Sequence, residues 1–146
     1  MLTTCSATSN ATALKSIFTA TRVEKPMQKI QAEDRRVVNI YNDDFKPFGG
    51  EASPSTHESA LQINAHEQLG VGFHVYRMQP GTTTTPHEHT QDEEFLVLEG
   101  ELTDNDGYVY RTGDLVWLKK GTQHSSHSQH GALLAVYIGA AEKNLT

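Results

Sequence analysis

Cysteine is almost missing from this chain: its 146 residues hold one, Cys5, so no disulfide can close within the chain and no metal site can be built on thiolates. A reducing compartment is compatible with that. Long hydrophobic runs are also missing, and none approaches the roughly eighteen apolar residues that span a bilayer. Basic residues are few and scattered. With a net charge of −6, the chain lacks the clustered lysine and arginine that contacts to nucleic-acid phosphates need. There is no glycine-rich phosphate loop and no Ser/His/Asp nucleophile pattern, so neither phosphate binding nor covalent catalysis has support. Acidic side chains are absent before Glu24. That leader is rich in Ser, Thr and Ala and carries Lys15 and Arg22, the composition of a transit peptide; a flexible tail or a short helix over residues 13–25 is the plainer reading. It has no apolar core of a secretory signal, which leaves the glycosylation patterns at Asn10 and Asn144 without a use.

What the chain does have is histidine in a pattern. With 8 His in 146 residues, about 0.4 pairs of the form HxH arise by chance, so the pair His87/His89 means little alone. Its surroundings carry the information. Gly81, five residues, His87, one residue, His89, three residues, Glu93, six residues and Gly100 form one block, and Gly113, Gly121 and His124 form a second about twenty residues on. On an extended strand, residues two apart share a face, so His87 and His89 aim both rings one way while Glu88 points the other. A helical metal pair would sit four apart. Counting back from Gly100 selects Glu93 over its neighbour Glu94, and strand alternation turns Glu94 outward. His127, three after His124, faces away; His57, His66 and His130 sit among turn residues and are solvated.

After the leader the chain reads as short strands broken by turns. We expect strands over 36–41, 61–65, 71–78, 93–103, 108–111, 115–118, 124–126 and 133–138, with 45–55 as loop. Asp104-Asn105-Asp106-Gly107 reads as a hairpin turn, because Asp-Gly tolerates the positive φ angles such turns require. Glu99, Glu101, Asp104 and Asp106 read as a solvated strand end and turn, and Trp117 and Tyr137 as core. Many short strands at near-regular spacing define an all-β sandwich or barrel.

At these residues the chain resembles the cupin superfamily. Its first motif, G(x)5HxH(x)3E(x)6G, is matched by Gly81, His87, His89, Glu93 and Gly100. The second, G(x)5PxG(x)2H(x)3N, is matched by Gly113, Gly121 and His124, with Lys119 where proline is usual and Ser128 where asparagine is usual. The run from Glu93 to Glu101, followed by the Asp104–Gly107 turn, is similar to the cupin domain of ChrR-type anti-sigma regulators and to related enzymes. The resemblance covers roughly residues 37–139. It implies a cupin-type double-stranded β-helix, or jelly-roll barrel: a single domain over 36–146 behind a flexible N-terminal leader over 1–35.

The resemblance also implies a metal site on His87, His89, Glu93 and His124. Three imidazoles and one carboxylate without thiolate suit one divalent first-row ion per chain, Fe, Zn, Mn or Ni. Four such ligands leave one or two positions for water, substrate or dioxygen if the geometry is octahedral, and none if it closes to a tetrahedron. Two functions follow from the resemblance: a small metal-dependent dioxygenase acting on a dioxo or phenolic compound, or a non-catalytic ChrR-like sensor or small-ligand-binding module. ChrR-type regulators carry an HxxxCxxC element before the cupin. This chain has no His before His57 and only Cys5, so the anti-sigma activity is not carried over. His74 and Tyr76 share a strand face and are expected as substrate contacts if that face lines the barrel. The expected partners are a small-molecule ligand and a second copy in a homodimer that pairs through the 36–41 strand; no nucleic acid or membrane is expected. The expected location is cytoplasmic, or organellar if the leader is a transit peptide.

Overall fold

Turn residues cut the chain beyond residue 45 into extended runs too short to stand alone, and these runs pair with one another. A computed structural model of the protein describes residues 26–49 and 54–145. The chain separates into two units, Met1–Arg35 and Arg36–Thr146. Of the first, residues 26–35 are described, and Ala32–Asp34 form one exposed 3-10 turn. The helix considered over 13–25, and the leader as a transit peptide, lie outside the described residues. No helix among the described residues is long and apolar enough to cross a membrane.

The second unit is built from strands β1 (Lys46–Pro47), β2 (Glu58–Leu61), β3 (Gly72–Met78), β4 (Thr82–Thr83), β5 (His87–Glu88), β6 (Glu93–Asp104), β7 (Val109–Arg111), β8 (Leu115–Leu118), β9 (Gln123–His124), β10 (Ser126–Ser128), β11 (Ala132–Ile138) and β12 (Lys143–Asn144). One sheet runs β1-β2-β3-β11-β6-β10-β4, with β7 and β8 also on β6; a small one runs β12-β5-β9. The pairs are antiparallel, and the larger sheet curls into the jelly-roll barrel that the cupin resemblance implies.

The long strand β6 makes the curl possible. Its first half pairs with β11 and β8, its last residues with β7 and β10. Between the halves the register slips by one residue, so Leu133 faces Glu99 while Leu134 faces Val97. Gly100 sits at the turn-over with φ +77, where a Cβ would come within 2.2 Å of the Gly131 carbonyl oxygen. Only glycine fits there. The slip also exchanges the two faces of the strand: Phe95 and Val97 point inward before it, Leu102 and Asp104 after it. Met78, Phe95, Val97, Leu102, Tyr110, Ala132, Leu134 and Val136 fill one part of the interior as a core, while the rest stays open as a cavity.

Four expectations are corrected. Residues 36–41 form no strand, because Asn39 draws the chain into a turn: its side-chain oxygen accepts from the Tyr41 N–H, and its carbonyl from the N–H groups of Asn42 and Asp43. A homodimer therefore has no strand over 36–41 to pair through. The loop expected over 45–55 contains β1, whose Pro47 is tolerated at a sheet edge; β2 begins at Glu58, earlier than the pattern at 61–65 suggested. The strand expected over 124–126 is two strands, since Ser125 spends both backbone groups on Asn105 of the hairpin turn. Trp117 and Tyr137 are not core: they are 56% and 51% exposed, because strand alternation gives the interior to Val116, Leu118, Val136 and Ile138.

Candidate metal centre

Strand parity brings the first two histidines together. His87 and His89 are buried on the inner side, and Glu88 between them turns away to accept a hydrogen bond of 2.7 Å from Gln123 Nε2. His87 lies opposite His124 on β9. The ladder runs on past β5, with the His89 N–H donating to the Thr122 carbonyl at 3.0 Å and the Gly121 N–H to the His89 carbonyl at 2.8 Å. The stretch from Gly121 to His124 is thus bonded to the segment that carries His87 and His89. Glu93 opens β6 beside them, while Glu94 is exposed opposite Tyr137 and Trp117.

The three imidazole rings converge, with centroids 5.2 Å (His87–His89), 4.6 Å (His87–His124) and 4.8 Å (His89–His124) apart. His89 Nε2 is 2.9 Å from Glu93 Oε2 and 3.0 Å from His124 Nε2. Two donors bound at right angles to an ion at about 2.1 Å stand about 3 Å apart, and these spacings match. Two outer contacts fix which nitrogens face the centre. His87 Nδ1 donates to the Thr85 carbonyl at 2.8 Å, and His124 Nδ1 to Asp104 Oδ2 at 3.1 Å. Each ring therefore turns Nε2 inward.

The residues present fit a metal. His87 Nε2 and His89 Nδ1 are buried without a hydrogen-bond partner, and buried polar atoms are rarely left so. Glu142 Oε1 does come within 3.2 Å of His87 Nε2, but off the direction in which that nitrogen would bond. An ion at the common focus would satisfy the inward nitrogen and explain why three imidazoles crowd one point.

Two acidic residues join the centre that the sequence patterns did not single out. Asp104, expected as a solvated turn residue, is buried and accepts from Tyr110 Oη at 3.0 Å, from Ser126 Oγ at 2.5 Å and from His124. Burial works against its charge, but the hydrogen bonds from His124 and Ser126 hold its carboxyl below the usual range. Counting by twos from Glu93 puts residue 104 on the outer face; the slip at Leu98–Gly100 brings it inside. Glu142 lies 3.2 Å from His87 Nε2 and 3.7 Å from His89 Nε2. Burial opposes protonation of His87, yet the Glu142 carboxylate 3.2 Å away raises its pKa; His87 in turn lowers that of Glu142 against the effect of burial. No local motif marks Glu142, because pairing of β12 with β5 is what carries it there.

The centre opens on a cavity of about 530 Å³. His74 and Tyr76 line it beside His87, Glu93, His124 and Glu142, with Phe95, Leu134 and Val136 as the apolar wall. His74 Nδ1 donates to the Gly72 carbonyl at 3.0 Å, and burial lowers the pKa of the ring. Tyr76 Oη donates a short hydrogen bond to Glu58 Oε1, and burial raises the phenol's pKa. His127 instead meets Thr83 Oγ1 at 2.8 Å, away from the centre.

A jelly-roll barrel with a histidine and carboxylate cluster at the edge of an internal cavity defines a cupin. Residues 35–142 match the ChrR cupin-like domain, and the chain belongs to that family. None of the curated protein sequences matches it. Among solved structures it is similar to the polyketide cyclase RemF from Streptomyces resistomycificus, with 15% identity over 77% of this chain and 86% of that one and a TM-score of 0.60. It is similar to an acetylacetone dioxygenase from Acinetobacter johnsonii, with 12% identity, 84% and 85% coverage and a TM-score of 0.58. It also resembles a chain in the Rhodobacter sphaeroides complex of SigE with the anti-sigma ChrR, with 15% identity, 67% coverage of this chain but 49% of that one, and a TM-score of 0.51. At such identities the likeness shows the fold.

Proposed function

We propose that this protein is a small metal-dependent dioxygenase in which His87, His89, Glu93 and His124 hold one divalent ion, and that its substrate is a dioxo or phenolic small molecule. The observation that carries this reading is the cavity: the centre borders about 530 Å³ of space walled by both polar and apolar side chains, which a closed structural site has no use for. When bound, the ion supplies Lewis acidity and a site for dioxygen. The protein's own residues do the selecting. His74 has its Nδ1 proton committed to Gly72 and its pKa lowered, so its neutral Nε2 is left as an acceptor. Tyr76 commits its proton to Glu58 and offers its oxygen as a second acceptor. Together they suit a ligand that brings an enolic or phenolic O–H to donate to His74 Nε2, while Phe95, Leu134 and Val136 pack its carbon skeleton and exclude water. Fold likeness to an acetylacetone dioxygenase supports the substrate class.

The test has two stages. Metal content of protein purified without chelators, read by mass spectrometry, should be one equivalent per chain in the wild type and far less in a His87→Ala/His89→Ala variant; full occupancy in that variant refutes the site. Anaerobic loading with Fe(II), followed by oxygen-uptake measurements with β-diketones, hydroxyketones and catechols, should then show turnover. A protein that binds iron but admits neither nitric oxide at the iron nor any oxygen turnover would instead be a binding module. That second reading is favoured by membership of the ChrR cupin-like family.

A further inference from the structure

We propose that Glu142 is a fifth protein ligand of the same metal centre, supplied by the C-terminal segment; the proposal rests on the metal reading above. One atom each from His89, Glu93 and Glu142 lie within 4.8 Å of one another, as do the three ring nitrogens of His87, His89 and His124. His89 belongs to both groups, so the two describe one centre with three imidazoles and two carboxylates. Glu142 approaches the inward nitrogens of both HxH histidines, at 3.2 and 3.7 Å, spacings found between ligands that share an ion.

Its placement is built by bonds on both sides. Thr90 Oγ1 donates to the Ala141 carbonyl at 2.7 Å, Lys143 and Asn144 pair with Glu88 and His87, and the Leu145 N–H donates to the Pro86 carbonyl at 3.0 Å. The backbone of residue 142 is thereby fixed over the strand that carries the histidines. The side chain points into the cavity rather than out of it, and at 36% exposure it lies between the centre and solvent. The chemical consequence is a centre with no net charge when a divalent ion is bound, where four ligands alone would leave +1. In an octahedron, five protein ligands would leave one position open where four would leave two.

The experiment is a titration of wild type and Glu142→Gln with Co(II) in competition with a chromophoric chelator, recording the visible absorption of the bound ion. Removing even a group that acts on a metal through another residue costs about 10–100-fold in affinity. Glu142→Gln should therefore bind Co(II) at least about tenfold more weakly and with an altered absorption envelope, while the metal-free variant keeps its thermal midpoint. A variant that binds Co(II) as tightly as wild type, with the same spectrum, overturns the proposal. A crystal structure of the Co(II)-loaded wild type gives the answer even if the variant does not fold: a Glu142 oxygen at about 2.0–2.2 Å from the ion is expected, and a Glu142 that reaches the centre only through a hydrogen bond to another ligand, or not at all, overturns the proposal. Wild-type protein that takes up no Co(II) would overturn the metal reading itself, which separates the two failures.

Discussion

Phe73 and Phe95 are the same side chain on two strands of one sheet, and they live in different solvents. Phe95 is 3% exposed, its ring edge-to-face with Tyr110 at a centroid distance of 5.3 Å; Phe73 is 65% exposed. Around each the contrast holds. The inner face joins Phe95, Val97, Leu134 and Val136 to polar His74, Tyr76 and Glu93, whereas the outer face sets Phe73, Tyr137, Glu94 and Trp117 side by side across β3, β11, β6 and β8. Burial in this sheet follows position, and residue type is a poor guide to it: a histidine and a glutamate are inside while a tryptophan is out. The inner face can hold polar groups because each is hydrogen-bonded or converges with others at the centre.

The sharpest way to break this division of faces is at its switch. Gly100→Ala puts a Cβ 2.2 Å from a backbone oxygen at a positive φ, and we expect more than about 4 kcal/mol of destabilisation, enough to prevent folding; a denaturant midpoint close to wild type would show that the strand turns over by other means. Next comes the core itself. Phe95→Ala should cost about 3–5 kcal/mol in chemical unfolding of the metal-free protein.

Polar members of the inner face test differently. Asp104→Asn keeps an acceptor for His124 but removes the charge, and should weaken metal binding about 10–100-fold with a smaller effect on the fold; equal metal affinity would show that Asp104 only packs. His74 carries a pH signature. Burial lowers its folded pKa, so below the unfolded value of about 6.5 the unfolded chain binds the proton that the folded one refuses, and stability falls with falling pH. In the metal-free protein, wild type should lose up to about 1.4 kcal/mol per pH unit relative to His74→Gln as pH falls below that value; parallel curves would assign the loss elsewhere. The smallest effect belongs to the outer face, where Phe73→Ala should change stability by less than about 0.5 kcal/mol. A loss comparable to that of Phe95→Ala would mean that this face is covered in solution, and light scattering of the two proteins would then tell whether a second copy covers it.

Much of the centre can be read in the sequence because its side chains are local to strands. The parity of His87 and His89 survives folding unchanged, and the spacing back from Gly100 separates Glu93 from Glu94. Parity also explains one failure. The alternation that correctly turned Glu94 outward gives the wrong face for Asp104, since one extra residue at Leu98–Gly100 exchanges the faces, and a bulge leaves no mark in hydrophobic pattern beyond the glycine itself. Trp117 and Tyr137 lie outside for a related reason: a hydrophobic type on a strand does not say which face is buried, and both faces of this sheet carry aromatic side chains.

By itself, the amino-acid sequence determined the all-β fold class, the Asp104–Gly107 turn, the family and the four-residue motif, because each is written in spacings of a few residues that a pleated strand preserves. Tertiary structure alone decided the rest. Glu142, 55 residues after His87, reaches it through the pairing of β12 with β5, Asp104 reaches His124 through a register slip, and the cavity exists because core side chains fill only part of the barrel. These depend on which distant segments meet, a choice made by the packing free energy of the whole domain and not by any local pattern.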